Sequence, residues 1–154
     1  MTPIEPEDRV EVLIVGAGFS GLCLGARLVR EGRRDFVILE KGGSVGGTWR
    51  DNRYPGCACD IPSHLYSLSF GPRPDWSRYY PTQPELFAYL EEVARHFDLG
   101  PHLQLNTAFA DAEWDANEAL WRVRGRARRG LAGAVLASAV VGGPLPGEAA
   151  LPRG

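Results

Sequence analysis

The chain has 154 residues, of which 44% are hydrophobic and 23% are charged, a composition typical of a globular domain with a real core. Its formal net charge of -2 gives no electrostatic reason to expect nucleic-acid binding. One stretch is locally basic. An RNA-binding patch and a solvated β-hairpin both fit it, and we favour the hairpin. The arginines of this stretch are Arg122, Arg124, Arg126, Arg128 and Arg129.

The chain carries no sequence signal for secretion or for a membrane. Residues 1–8 are acidic, contain two prolines and are expected to be disordered. The longest apolar stretch, Leu131 to Val141, is about half of what a membrane span needs. The three cysteines suggest no disulfide framework, and Cys57-x-Cys59 lacks the second pair of a zinc site. We therefore expect a cytoplasmic protein without a membrane span or a bound metal.

The first forty residues predict a βαβ unit. Val10 to Val15 is a short apolar run that ends at a glycine, as in a buried parallel strand. Phe19 to Glu31 has helical spacing of apolar residues, and Gly32 provides the stop. Phe36 to Glu40 is a second buried strand. Two parallel strands joined by a helix predict a Rossmann-like α/β fold.

A glycine motif lies between the first strand and the helix. Gly16-x-Gly18-x-x-Gly21 is a weak signal alone, but this context and Glu40 at the end of the next strand make it strong. Gly16 allows the tight turn, Gly18 lets a pyrophosphate approach the backbone, and Gly21 lets the helix pack on the strand. Glu40 is expected to accept hydrogen bonds from the adenosine ribose and to disfavour a 2′-phosphate. The motif leaves FAD and NAD as alternatives, and a glycine turn of a generic α/β domain is the third.

The middle of the chain is predicted to be mostly irregular. Residues 41–81 are rich in glycine and proline, and so long a connection is usually functional. Thr82 and Glu85 fit a capping box, which predicts the start of a helix. Apolar residues then recur at helical spacing as far as Phe97, and Gly100 with the proline after it ends the pattern.

The last third is predicted to be a β-meander that returns to the sheet. Leu103 to Phe109 and Asp111 to Trp114 read as strands, followed by a polar turn at residues 115–118. Leu120 to Arg124 alternates apolar and polar residues, as expected for a half-exposed strand. Leu131 to Val141 is again continuously apolar and is expected to rejoin the buried parallel sheet.

Two further segments resemble a known family. Gly46-Gly47-Thr48-Trp49 resembles the second FAD contact of the glutathione-reductase-like flavoproteins. The longer block GGTWRDNRYPGCACDIPSHLY, residues 46–66, closely resembles the Baeyer–Villiger monooxygenases and the related flavin-containing monooxygenases. The segment YPTQPE, residues 80–85, resembles the same family. The resemblance extends from about Val10 to about Pro152.

This resemblance implies a fold and a domain organisation. The expected fold is a Rossmann-like FAD-binding domain of the two-dinucleotide-binding type, with a β-meander. Residues 9–145 would form part of that domain, and residues 146–154 would begin a linker towards an NADPH-binding domain outside the chain. No second glycine motif follows Gly21 in a strand–helix context, so we expect the chain to be a truncated part of the enzyme.

The resemblance also implies roles for individual residues. The residue matching Asp60 lies beside the isoalloxazine and pairs with an arginine from later in the chain. The residues themselves suggest a carboxylate partly desolvated among Tyr54, Tyr66 and Trp49, although a plain salt bridge or turn cap is the alternative. Asp60 is the expected catalytic residue. The expected cofactor-binding residues are Gly16, Gly18, Phe19, Ser20, Gly21, Glu40, Lys41, Gly47, Thr48, Trp49, Ala58, Cys59, Asp60, Ile61, Tyr66 and Phe109.

The resulting hypothesis is the FAD-binding segment of an NADPH-dependent monooxygenase. Such an enzyme inserts one oxygen atom of O2 into a small-molecule ketone or a soft heteroatom. The alternatives are another FAD-dependent oxidoreductase of the same superfamily and a non-catalytic FAD- or ADP-binding fragment. The sequence determines neither the substrate nor the oligomeric state.

Overall fold

The computed structural model describes residues 8–127 and 130–142, which form a mixed α/β domain. The strands are β1 (Asp8–Val15), β2 (Phe36–Leu39), β3 (Leu103–Gln104), β4 (Thr107–Asp115), β5 (Leu120–Ala127) and β6 (Gly130–Gly142). The helices are α1 (Phe19–Arg30), α2 (Thr48–Asp51) and α3 (Gln83–His96), and a 3-10 turn spans Gly100–His102. Within the described ranges, no helix is both long and apolar enough to cross a membrane.

The strands form one six-stranded sheet in the order β3-β2-β1-β6-β5-β4. The pairs β3–β2, β2–β1 and β1–β6 are parallel. The pairs β6–β5 and β5–β4 are antiparallel. The Rossmann-like α/β prediction is therefore confirmed, together with the β-meander and the return of the last strand beside β1. Arg122, Arg124 and Arg126 lie on β5, which pairs antiparallel with β6 as expected for a hairpin, whereas Arg128 and Arg129 lie outside the described residues.

The two faces of the sheet have separate cores, because successive strand residues point to opposite sides. Ile14 and Ile38 pack on one face with Leu22 of α1 and Leu90 of α3. On the other face, Leu13, Val37 and Leu39 pack with Val123 of β5 and Ala137 of β6. This two-sided burial explains why β1 and β2 are continuously apolar in sequence.

Three predicted boundaries are wrong in detail. The single strand predicted from Leu103 to Phe109 is two strands, separated by a turn at Asn106 with a φ of 57°. Asparagine tolerates this left-handed conformation, and the Asn106 amide donates to the carbonyl of Gly42. The break predicted before Asp111 is a bulge inside the continuous β4. Helix α3 ends at His96, before the glycine expected to stop it.

The predictions for the two termini fall mostly outside the described residues. Within residues 1–8, only Asp8 is described, and it begins β1 instead of belonging to a disordered segment. Residues 143–154, which include the predicted linker, are not among the described residues. The proposed boundary of the FAD-binding domain at residue 145 therefore stays a prediction.

Candidate functional site

A cavity of about 610 Å³ opens where β1 and β2 end and α1 begins. This edge of a parallel sheet is where Rossmann-like folds hold their ligands. Most of the residues predicted for the site line this cavity. They are Gly16, Gly18, Phe19, Ser20, Gly21, Glu40, Lys41, Gly47, Thr48, Trp49, Tyr66 and Phe109.

The first glycine loop is shaped by close backbone packing. Gly16 has a φ of 92°, a left-handed conformation that favours glycine. A Cβ added to Gly21 would lie 1.9 Å from the carbonyl oxygen of Gly16, so a side chain cannot be accommodated there without movement of the backbone. The loop therefore brings the start of α1 tightly against the end of β1, as the motif predicts.

Helix α1 begins without a side-chain cap. Its N-cap residue is Gly18, the described part of the chain provides no side-chain cap, and the first turn contains no acidic residue. The first amides of a helix have no partner within the helix, and the helix dipole favours negative charge at this end. The cavity wall at Gly18, Phe19 and Ser20 is thus suited to an anion such as a diphosphate.

The second glycine loop packs directly on the first. The Gly46 amide donates to the carbonyl of Ala17 at 2.8 Å. Gly47 has a φ of 50°, and a Cβ added there would lie 3.0 Å from the Cα of Gly18. A Cβ on Gly46 would lie 2.7 Å from the ring of Phe87 in α3. The two loops that line the cavity therefore depend on each other for their positions.

Glu40 is buried at the edge of the cavity, with 3% of its surface exposed. Its carboxylate accepts hydrogen bonds from the amides of Ala17 at 2.8 Å and Gly42 at 2.7 Å. It also accepts one from the guanidinium of Arg50 at 2.9 Å. Glu40 thus joins the first glycine loop to the loop after β2. The predicted contact with a ribose stays a prediction.

Aromatic side chains form another wall of the cavity. The indole of Trp49 donates to the hydroxyl of Tyr66 at 3.2 Å, and the two rings meet edge to face. Phe19 lies beside Tyr66 with 5.0 Å between ring centroids. Gln83 of α3 donates to the carbonyl of Trp49 and holds this short helix in place. Both Trp49 and Tyr66 are partly buried and border the cavity, and their predicted contact with a cofactor stays a prediction.

Four predicted site residues lie outside this cavity. Cys59 is buried, Ala58 lines a separate depression, and Asp60 and Ile61 are exposed. The expectation that Asp60 is partly desolvated by neighbouring aromatics is therefore wrong for the described chain. Tyr54, one of those aromatics, is itself 62% exposed. The amino-acid spacing suggested crowding, but Tyr54, Asp60 and Ile61 are all exposed in the folded chain.

The cavity also contains residues that were not predicted for the site. Arg50 is the most informative, because its charged group is buried against Glu40. The sequence did contain a signal for it, since a carboxylate at the end of a buried strand needs donors or a cation nearby. The remaining lining residues that were not predicted are Val15, Leu39, Gly46, Asp51 and Ala108.

The fold and this cavity define a dinucleotide-binding domain, and comparison with known proteins specifies it further. The family model of the NAD(P)-binding Rossmann-like domain matches residues 14–82. A Baeyer-Villiger monooxygenase of Streptomyces coelicolor is 53% identical over 116 residues, which are 75% of this chain and 22% of that protein. The FAD-binding monooxygenase ktnD of Aspergillus niger is 47% identical over 117 residues, covering 75% of this chain and 19% of that protein.

Solved structures agree with the sequence relatives. A steroid monooxygenase bound to NADP superposes with a TM-score of 0.80 at 39% identity, covering 94% of this chain and 28% of that one. The chain spans about a fifth of the length of the curated relatives it matches. It contains an NAD(P)-binding Rossmann-like domain and is homologous to the N-terminal part of the Baeyer–Villiger monooxygenases.

Proposed function

We propose that the chain binds FAD as the N-terminal segment of an NADPH-dependent Baeyer–Villiger-type monooxygenase. The observation that carries this proposal is the uncapped start of α1, which faces a cavity bordered by the buried carboxylate of Glu40. The start of α1 suits a diphosphate, and the neighbouring carboxylate of Glu40 suits a ribose. Relatives named as FAD-binding monooxygenases support FAD as the dinucleotide.

The residues of the cavity fit FAD in their chemistry. Backbone amides at Gly18 to Ser20 would receive the diphosphate, and Glu40 would accept a hydrogen bond from the adenosine ribose. Thr48, Trp49 and Tyr66 line the same cavity and would contact the remaining part of the cofactor. A cavity of about 610 Å³ is within the usual range for cofactor sites. When bound, FAD would supply the redox chemistry of oxygen transfer.

The remaining roles in the reaction are proposed from the relatives. NADPH would act as the reductant, with its main site outside this chain, and O2 and a small-molecule ketone or soft-heteroatom compound would be the substrates. Asp60 would serve as the catalytic carboxylate once an arginine from outside the described residues pairs with it. Its exposure in this chain leaves it accessible to such a partner. We place the enzyme in the cytoplasm, on the basis of its cysteine usage.

Titration of the purified 154-residue chain with FAD tests the proposal. We expect saturable binding, seen as quenching of flavin fluorescence, and a protein that keeps its yellow colour on desalting. We also expect Gly18→Val to weaken FAD binding at least about tenfold, which corresponds to about 1.4 kcal/mol. A Cβ at Gly18 meets only the Cα of Gly47, at 3.7 Å, so the free chain accommodates it and the added bulk obstructs the ligand.

Two controls separate binding from folding. Gly100→Val places the same side chain where a Cβ has no neighbour within 4 Å and where no cavity residue is affected, so FAD binding should not change. Circular dichroism should show that Gly18→Val is folded, with a Tm slightly below that of the wild type because valine is a poorer N-cap residue than glycine. A colourless chain that ignores added FAD contradicts the proposal. FAD binding without NADPH consumption under air supports the FAD-binding segment and favours a fragment that needs further domains.

A further inference from the structure

The guanidinium of Arg50 is fixed beside Glu40 by contacts with a carboxylate and with a backbone carbonyl. The two side chains are 11% and 4% exposed, and Nη1 of Arg50 lies 2.9 Å from Oε1 of Glu40. The same Nη1 donates to the carbonyl of Ser44 at 2.5 Å. A Cβ on Gly42 would lie 2.1 Å from Nη1, so the guanidinium occupies the space that the glycine leaves free. The loop after β2 is thus built around this ion pair.

A second carboxylate fixes the far side of the guanidinium. Asp51 accepts from Nε of Arg50 at 2.7 Å and from Nη2 at 3.0 Å, which is the two-pronged geometry that arginine favours. The hydrogen bond that Arg50 donates to Asp51, together with the one that it donates to Glu40, outweighs the effect of burial and raises the pKa of Arg50. The hydrogen bond from Arg50 lowers the pKa of Asp51. Arg50 is therefore a fixed cation whose orientation is set from both sides.

These contacts use most of the hydrogen-bonding capacity of Glu40. A carboxylate offers about four lone-pair positions, two on each oxygen. Oε1 of Glu40 accepts from Gly42 and from Arg50, and Oε2 accepts from Ala17. The described residues place no further donor on this carboxylate, so one acceptor position remains, on Oε2. Because Glu40 borders the cavity, we assign that position to a ligand hydroxyl.

We propose that Arg50 is a positioning residue for ribose recognition: its ion pair with Glu40 orients the carboxylate, so that Oε2 accepts one ribose hydroxyl. This inference rests on the proposed function, because it assumes that an adenosine diphosphate moiety binds in the cavity. An alternative role, in which Arg50 only holds the loop of residues 42–51 together, predicts no effect that depends on the ribose hydroxyls.

The test compares ADP with 2′,3′-dideoxy-ADP, which has the diphosphate and adenine but no ribose hydroxyls at these positions. We expect the wild-type chain to prefer ADP by about tenfold, as for one hydrogen bond to a charged acceptor. In Arg50→Gln the preference should fall to about twofold, and in Arg50→Lys to an intermediate value. In a Glu40→Gln background, Arg50→Gln should not change the preference further.

Arg53→Gln is the matched control. Arg53 is an exposed arginine three residues further on that does not line the cavity, so its replacement should leave the preference for ADP unchanged. Isothermal titration calorimetry measures both affinities, and circular dichroism shows which variants are folded. If Arg50→Gln does not fold, Arg50→Lys carries the test. A preference at least twofold lower supports the role of Arg50, and a preference equal to that of the wild type overturns it.

The failure of this inference is distinguishable from the failure of the proposed function. A wild-type chain that binds neither FAD nor ADP overturns the proposed function and this inference with it. A wild-type chain that binds both and prefers ADP, with the same preference in folded Arg50→Gln, overturns the role of Arg50 alone. A wild-type chain that binds ADP and dideoxy-ADP equally overturns the ribose contact of Glu40.

Discussion

The two long helices begin in opposite ways. Helix α3 has Thr82 as its N-cap residue in a capping box with Glu85, whose carboxylate accepts from the amide and the hydroxyl of Thr82, and Pro84 occupies the first turn. Glu85 also accepts a hydrogen bond from the amide of Ser77 at 2.9 Å. Helix α1 starts at Gly18 with no side-chain cap and no acidic residue in its first turn. The first turn of α3 therefore contains its own carboxylate, Glu85, whereas the first turn of α1 contains none.

The difference shows how a stable helix end and a ligand-binding helix end are made. At α3, burial opposes the ionisation of Glu85, but hydrogen bonds from Ser77 and Thr82 lower the pKa of Glu85 to about 2. The carboxylate is thus the built-in partner of the helix terminus and of the segment before it. At α1 the first amides have no such carboxylate, so an anionic ligand can bind them. Gly18 has no side chain that would block the ligand.

The largest effect is expected from a change in the packing that defines the start of α1. Gly21→Ala would place a Cβ 1.9 Å from the carbonyl oxygen of Gly16, so the loop or the helix must shift. We expect a loss of about 3 kcal/mol in the free energy of unfolding, together with weaker FAD binding. Urea denaturation measures the stability. Gly100→Ala, where a Cβ meets nothing within 4 Å, should be nearly neutral, and equal stability of the two variants would contradict this account.

A smaller effect is expected at the start of α3. Glu85→Gln removes the charged acceptor of Thr82 and Ser77 and should cost about 1 kcal/mol at neutral pH, since partial exposure screens the interaction. Because the folded pKa of Glu85 lies below its usual 4.5, its contribution is complete above about pH 4.5 and is lost as the pH falls towards 2.

Thermal unfolding measured from pH 7 to pH 2 checks this sign. The difference in Tm between the wild type and Glu85→Gln should shrink as the pH falls. FAD binding at pH 7 should change little, because Glu85 does not line the cavity. A Tm difference that stays constant down to pH 2 would show that the charge of Glu85 is not what stabilises this helix start.

The smallest change in stability is expected when α1 is given a cap of its own. Gly18 has a φ of -81° and a ψ of -164°, which is the extended conformation of an N-cap residue. Gly18→Asp should stabilise the free chain by about 0.5 kcal/mol, because its carboxylate caps the first turn and complements the dipole. The same carboxylate would repel a diphosphate, so FAD affinity should fall. A variant with unchanged stability and unchanged FAD affinity would contradict the view that the start of α1 lacks a cap because a ligand binds there.

Much of the fold follows from local patterns. The continuous apolar runs of β1 and β2 and the glycine loop between β1 and α1 predict the βαβ unit, and the capping box predicts the start of α3. The errors arise where a single residue changes the backbone direction. Asn106 divides one predicted strand into two because its left-handed conformation turns the chain, and its amide bonds to Gly42 far away in sequence. No periodicity in residues 103–109 contains that information.

The candidate site also has one part that the sequence predicted and another that it did not. The glycine motif and Glu40 were identified from spacing, and twelve of the residues predicted for the site, the glycines of the phosphate loop among them, line one cavity. The exposure of Asp60 was not foreseen, because the aromatic residues near it in sequence do not surround it in space. The ion pair between Glu40 and Arg50 was also missed, since it depends on how the loop of residues 41–50 folds back on itself.

Local sequence is sufficient to specify the βαβ unit and the open start of α1, because both depend on residues close together in the chain. Gly16, Gly18 and Gly21 act through local backbone geometry, which spacing alone expresses. The packing of Gly47 on Gly18 and the ion pair of Arg50 with Glu40 follow only from the folded domain. Such contacts join loops whose paths depend on the packing of the whole domain. The cavity at the uncapped start of α1 therefore forms only when the loops that line it are packed together.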